Sequence, residues 1–221
     1  MMKSRIWTAA LVGLLAAAPV LAKEEVRIVP SFSAVEFDGV AEVDVAAGKD
    51  QSVTLDGDQK VLSRITTEVR GDTLEIKVHK KNEGRSWLWR FVMPDDDDSA
   101  KDLKIRINVQ KITRIGVSGA AKLKATNVES DSMHFAVSGA AEIKADGHAD
   151  QVTLAITGAG DADLHSLMVN DATVSIAGAG QARVNPKDNL RANIAGFGKI
   201  SYPGDPKVTS NITGAGSVEK D

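Results

Sequence analysis

Val117-Ser118-Gly119-Ala120-Ala121 opens a pattern that recurs along the C-terminal half of the chain. It returns as Val137-Ser138-Gly139-Ala140-Ala141, Ile156-Thr157-Gly158-Ala159-Gly160 and Ile176-Ala177-Gly178-Ala179-Gly180. Two further copies follow, Ile194-Ala195-Gly196-Phe197-Gly198 and Ile212-Thr213-Gly214-Ala215-Gly216. Their leading glycines stand 20, 19, 20, 18 and 18 residues apart. After each copy comes a polar residue (Lys122, Glu142, Asp161, Gln181, Lys199, Ser217), then an apolar one (Leu123, Ile143, Ala162, Ala182, Ile200, Val218). A second polar residue follows (Lys124, Lys144, Asp163, Arg183, Ser201, Glu219), and then Ala125, Ala145, Leu164, Val184 or Tyr202. Period-two alternation marks a strand with one buried face. The two apolar columns compensate in size: Leu123 goes with Ala125, whereas Ala162 goes with Leu164, as a close-packed interior requires.

A repeat of about 18–20 residues built from strands and glycine corners predicts an all-β, single-domain parallel β-helix, or β-solenoid. Successive copies would stack about 4.8 Å apart. Glycine reaches positive φ at the corners, where another residue would lose roughly 1–2 kcal/mol. A helical alternative fails, because no i, i+3, i+4, i+7 apolar stripe is sustained after Gly119.

Upstream, Phe32 to Val45 carries the same pattern, with Gly39 at the corner and Val43 and Val45 inward, and reads as the first turn of the coil. Asp58 to Ile65 predicts a short helix. Ile65–Val69 and Leu74–Val78 predict a hairpin turning at Gly71-Asp72, and Leu103–Val109 a further alternating strand. Residues 1–22 read as a signal peptide: Lys3 and Arg5 precede an apolar run from Ile6 to Val20, shorter than the roughly 20 residues of a membrane span. The expected organisation is thus a leader over 1–22 and one domain over 23–221. In that domain, 23–110 supplies N-terminal strands with an aromatic and acidic insertion near 80–99, and 111–221 the repeats.

The bulk properties narrow the function. A formal net charge of −3 disfavours nucleic acid and anionic lipid, which select a basic face. With no cysteine, export brings no disulfide, and packing alone must stabilise the fold. No transmembrane span is expected after leader cleavage. The predicted location is exported: periplasmic, secreted or at the cell surface.

The repeated Gly-Ala-Gly/Ala corners, the opening Phe37-Asp38-Gly39-Val40-Ala41-Glu42-Val43, the hairpin around Arg70 to Ile76 and the closing Tyr202-Pro203-Gly204-Asp205-Pro206-Lys207-Val208 resemble one known group. It is the auto-transporter adhesin "head GIN domain" family of bacterial exported proteins. The resemblance runs from about Val26 to Val218. It implies a right-handed β-helix related in shape to pectin lyases, without established catalysis and with an adhesive or binding role. Lys80 to Ser99 departs from the family pattern, so the resemblance assigns it no role.

Trp87, Trp89 and Phe91 alternate with Leu88, Arg90 and Val92, so a strand there would present one aromatic face. These three are the candidate ligand-binding residues, as a platform for sugar rings or a partner surface; the competing reading is a cap over an open end of the stack. Asp95 to Asp98 lack the alternation, glycine and distal glutamate of a calcium loop. His79, His134, His148 and His165 fall at different offsets from their corner glycines and form no column, so no metal is expected. Arg70-Gly71-Asp72 is explained by the hairpin turn. No nucleophile elbow, phosphate loop or dinucleotide fingerprint occurs, so no catalytic residues and no cofactor are predicted. The sequence points to a non-catalytic binding or adhesion module presenting polar columns to a cell-envelope glycan or protein. Two rivals remain: a polysaccharide lyase by analogy of shape, drawing on Asp95 to Asp98 with Arg85 or Arg90, and an envelope protein that self-associates end to end.

Overall fold

The computed structural model describes residues 23–79 and 102–221. The N-terminal elements are β1 (Lys23–Arg27), β2 (Ala34–Ala47), β3 (Ser52–Gly57), α1 (Gln59–Leu62), β4 (Ile65–Arg70), β5 (Thr73–Val78) and β6 (Lys104–Val109). The repeats form β7 (Arg114–Gly158), β8 (Asp161–Tyr202), β9 (Lys207–Gly214) and β10 (Ser217–Lys220). The predicted short helix forms as α1, capped by Asp58, whose carboxylate accepts from the Lys60 amide at 2.7 Å. The predicted hairpin is β4–β5, turning through Gly71 at φ +64°.

The parallel β-helix expected over the whole domain is not what forms. The strands make an open, mixed sheet in the order β1-β3-β6-β2-β7-β8-β10, with β4, β5 and β9 beside it. β1 pairs antiparallel with β3, β3 antiparallel with β6, and β4 antiparallel with β5. Only β2–β5, β2–β6, β2–β7, β7–β8, β8–β9 and β8–β10 are parallel. The physical reason lies in the signal. Period-two alternation reports that one face is buried, and a parallel and an antiparallel neighbour satisfy it equally well.

Within the parallel part, register follows the repeat. Phe37 pairs with Val117 and Gly39 with Gly119; Ile156 pairs with Ile176 and Gly158 with Gly178; Ile194 pairs with Ile212 and Gly196 with Gly214. A one-residue slip would turn every inward side chain to solvent, so the buried face fixes this alignment. The inward columns are almost fully buried: Val43, Leu123, Ile143, Ala162, Ala182 and Ile200 in one, Val45, Ala125, Ala145, Leu164 and Val184 in the next. A third region of the core stacks Phe135, Leu154, Val174 and Ala192. Each such Val, Leu, Ile or Phe contributes roughly 1.5–3 kcal/mol by leaving water.

The corner glycines are required for two reasons. Those at 119, 139, 158, 178, 196 and 214 have φ between +107° and +130°. A Cβ on any of them would also lie within 3.0 Å of the carbonyl oxygen of the glycine one copy earlier. Close backbone approach and left-handed geometry therefore coincide at the same position.

A second rule links positions four apart. Copies that begin with Val (Val117, Val137) carry Ala121 and Ala141, whereas copies that begin with Ile carry Gly160, Gly180, Gly198 and Gly216. A Cβ at Gly160 would meet Ile156 Cγ2 at 3.2 Å and Val137 Cγ1 at 3.1 Å; at Gly216 it would meet Ile194 Cγ2 at 2.7 Å. The γ-methyl groups of the leading residues, in the same copy and in the one before, crowd the space where a fifth side chain would begin.

Candidate ligand-binding face

The residue after each corner glycine points outward and is small: Ala120, Ala140, Ala159, Ala179 and Ala215 are all exposed. Phe197 stands in the same column, 72% exposed, where its neighbours carry a methyl group. Beside it lies a concavity of about 500 Å³, lined by Asp161, Ala179, Gln181, Lys199, Ala215 and Ser217, with Gly180, Gly198 and Gly216 between them. The small alanines keep this surface low, so the phenyl ring rises above its neighbours. The side chains of Asp161 and Gln181 are exposed and have no hydrogen-bond partner among the described residues. The main chain beneath is held by the Gln181 amide, which donates to the Gly160 carbonyl at 3.0 Å.

A second concavity of about 400 Å³ continues across the outward columns through Glu142, Lys144, Asp163, Arg183 and Ser201, and it shares Asp161, Gln181 and Lys199 with the first. Apart from Asp161 and Asp221, its charges are paired. Lys144 lies 2.7 Å from Glu142, Lys199 2.7 Å from Glu219 and Arg183 3.9 Å from Asp163. The hydrogen bond from Lys144 and then its charge hold the Glu142 carboxyl below its ordinary value, and the same contact raises the Lys144 ammonium. Hydrogen bonds from Lys199 and Ser217 lower Glu219 in the same way. Pairing therefore runs both along a strand and between copies, and the face carries no single dominant sign. An exposed ring next to polar groups of both signs suits a polar ligand with an apolar face, as a sugar ring has.

The predicted site residues Trp87, Trp89 and Phe91 lie outside the described residues, as do the leader over 1–22 and Arg85, Arg90 and Asp95 to Asp98. The structure places the remaining candidates apart from one another. His79 Nε2 lies 2.7 Å from Thr66 Oγ1, His134 Nε2 3.3 Å from Ser132 Oγ, and His148 Nε2 3.8 Å from Asp150. Among the described residues no three His, Cys, Asp or Glu side chains are grouped to hold a metal ion. The Arg70-Gly71-Asp72 charges are committed locally: Arg70 pairs with Glu68 and Glu75, and the Asp72 carboxylate accepts from Ser33 and Thr73 hydroxyls at 3.3 Å.

Sequence reasoning missed Phe197 as a site. The signal was present, since aligning the copies shows one phenylalanine in a file of alanines. No helix of the described residues is long and apolar enough to cross a membrane, which leaves β-barrel spans untouched.

Comparison with known proteins agrees with this architecture. The chain is similar to the crystal structure of a "putative adhesin" from Bacteroides fragilis NCTC 9343, with a TM-score of 0.67 and 18% identity over 90% of this chain and 97% of that one. It is also similar to the structure of a "putative lipid binding protein" from Parabacteroides distasonis ATCC 8503, with a TM-score of 0.50 and 20% identity over 92% of this chain and 98% of that one. At these identities the likeness establishes the fold alone. No curated protein matches. A family model matches residues 31–206, and by that match the chain belongs to the family described as "Putative auto-transporter adhesin, head GIN domain".

Proposed function

We propose that this protein is an exported, non-catalytic adhesion module that binds an envelope glycan across the face bearing Phe197. The observation that carries the reading is the exposed ring itself. A phenylalanine 72% open to water has no role in holding the core, and every other copy does without it. A sugar ring stacked on Phe197 would exchange hydroxyl hydrogen bonds with Asp161, Gln181 and Ser217, and further residues of the chain would continue toward Arg183 and Glu142. Two adjoining open concavities suit an extended ligand better than a compact one. Membership in an adhesin family supports a binding role rather than a reaction.

Trp87, Trp89 and Phe91 belong to the same proposal as a second aromatic contact, on the strength of their alternation in the sequence. The test is affinity electrophoresis through gels that contain envelope polysaccharides, comparing the native chain with Phe197→Ala. That substitution restores the residue used by the other copies, so it should leave folding intact. Covering the ring is worth about 1–2 kcal/mol, so its loss should weaken binding roughly ten-fold. Retardation of the native chain that Phe197→Ala abolishes supports the proposal. Equal migration of both chains in every gel, or equal retardation of both, overturns it.

A further inference from the structure

The two ends of the parallel stack are finished differently. At the β2 end, β5 and β6 cover the edge, and Val78 packs against Gly39. At the other end β9 pairs with β8 on one side only, and its second edge meets no strand among the described residues. The apolar columns also stop there uncovered. Ile212 is 41% exposed, although Ile194 directly below it is 2% exposed. Val208, Val218 and Tyr202 are only partly buried. Proteins usually blunt such an edge with charge, proline or a bulge. Lys207–Gly214 has one charge, no proline and no register shift against β8.

The geometry points to a two-fold dimer in which β9 pairs antiparallel with β9 of a second copy, centred on Ser210. In β9 the inward residues are Val208, Ser210 and Ile212, because they align with buried Leu190, Ala192 and Ile194. Residues directly opposed in an antiparallel pair point to the same face, so the register must keep inward residues opposite inward ones. Centring on Ser210 places Val208 against Ile212 of the partner subunit, and Ile212 against the partner's Val208. The open end of the core is then closed by two identical apolar pairs. On the outer face Thr209 meets Asn211 of the partner subunit and Lys207 meets the partner's Thr213. The one charge in the strand therefore faces a neutral hydroxyl, and no like charges are opposed. A second copy thus satisfies the strand edge, the apolar columns and the charges together. The Phe197 concavity borders this edge through Ala215 and Ser217, but the dimer is argued from β9 and does not depend on the function proposed for that face.

The absence of cysteine gives a direct test of the register. Opposed Cα atoms in an antiparallel pair lie about 4.5–5.5 Å apart, within the roughly 4.4–6.8 Å that a disulfide spans. Ser210→Cys should therefore yield a covalent dimer on mild oxidation. Thr213→Cys should not, because its two copies would be about 20 Å apart. Sedimentation of the native chain at micromolar concentration should give twice the chain mass, and Ser210→Lys, which sets two ammonium groups on the two-fold axis, should give the single-chain mass with unchanged circular dichroism. A native chain that sediments as a monomer overturns the inference, as does Thr213→Cys cross-linking as readily as Ser210→Cys.

Discussion

Replacing Gly178 by alanine separates the two demands made on the corner glycines. Gly178 has φ +130°, and its added Cβ would press on the Gly158 carbonyl oxygen and lie 3.1 Å from the Gly158 nitrogen and carbonyl carbon. The left-handed backbone alone costs alanine roughly 1–2 kcal/mol. The steric part adds to this, because the obstacle is backbone in a fixed parallel register and cannot rotate aside. A total of about 3–5 kcal/mol follows, within the range of severe single substitutions. For a domain of this size each kcal/mol moves the midpoint by roughly 2–4 °C, so Gly178→Ala should melt about 10 °C lower. Gly204 is the matched control. Its φ is +76°, yet nothing stands within 4 Å of where its Cβ would be. Gly204→Ala should keep only the conformational cost, about 1–2 kcal/mol, a fall of a few degrees. Calorimetric melting of the two variants gives the comparison. Equal losses at Gly178 and Gly204 would refute the close-approach reasoning.

Gly160→Ala should destabilise by about 1–3 kcal/mol through contact with Ile156 Cγ2 and Val137 Cγ1. Chemical denaturation gives the loss, and a variant as stable as the native chain would contradict the close contact at this position. Phe135→Ala removes a ring that is 1% exposed at the centre of the core and should cost about 3–5 kcal/mol, measured in the same way. Glu142 should titrate below 4.5, because Lys144 favours its ionised form. A depressed carboxylate adds stability that is present above its unfolded-state value and is lost as pH falls through the lower folded value. Lys144→Met should move the Glu142 midpoint, followed by carboxyl carbon NMR, back toward 4.5, and an unmoved midpoint would show that the ion pair is not the cause.

Much of the β7–β10 half was legible because its information is columnar. The Val117 and Ile156 series, the corner glycines and the alternation after them each occupy one position per copy, and only parallel in-register pairing aligns them all. The Gly71-Asp72 turn and the short helix beginning near Asp58 were legible for a local reason: their chemistry lies within a few residues. The partners of β3 and β6 were not. Val53, Leu55, Ile105 and Ile107 alternate as any half-buried strand does, and nothing in them states that β3 runs antiparallel to β6 while β6 runs parallel to β2. That ambiguity is why a uniform parallel coil was expected and a mixed sheet is found. Phe197 was hidden for a different reason. Within its own copy it reads as an ordinary apolar residue beside a turn, and only its column of alanines marks it as out of place.

The account rests most heavily on the parallel register of the repeats, and one distance tests it. Cysteines introduced at exposed Ala120 and Ala215 can each carry a spin label without background, since the chain has no cysteine of its own. Five copy-to-copy steps separate them, and at about 4.8 Å per step the backbone positions lie about 24 Å apart despite the sequence distance between them. Pulsed electron resonance should show one narrow distribution near that value, widened by the label arms. A broad distribution, or a centre beyond about twice that spacing, would mean that the copies do not stack in register.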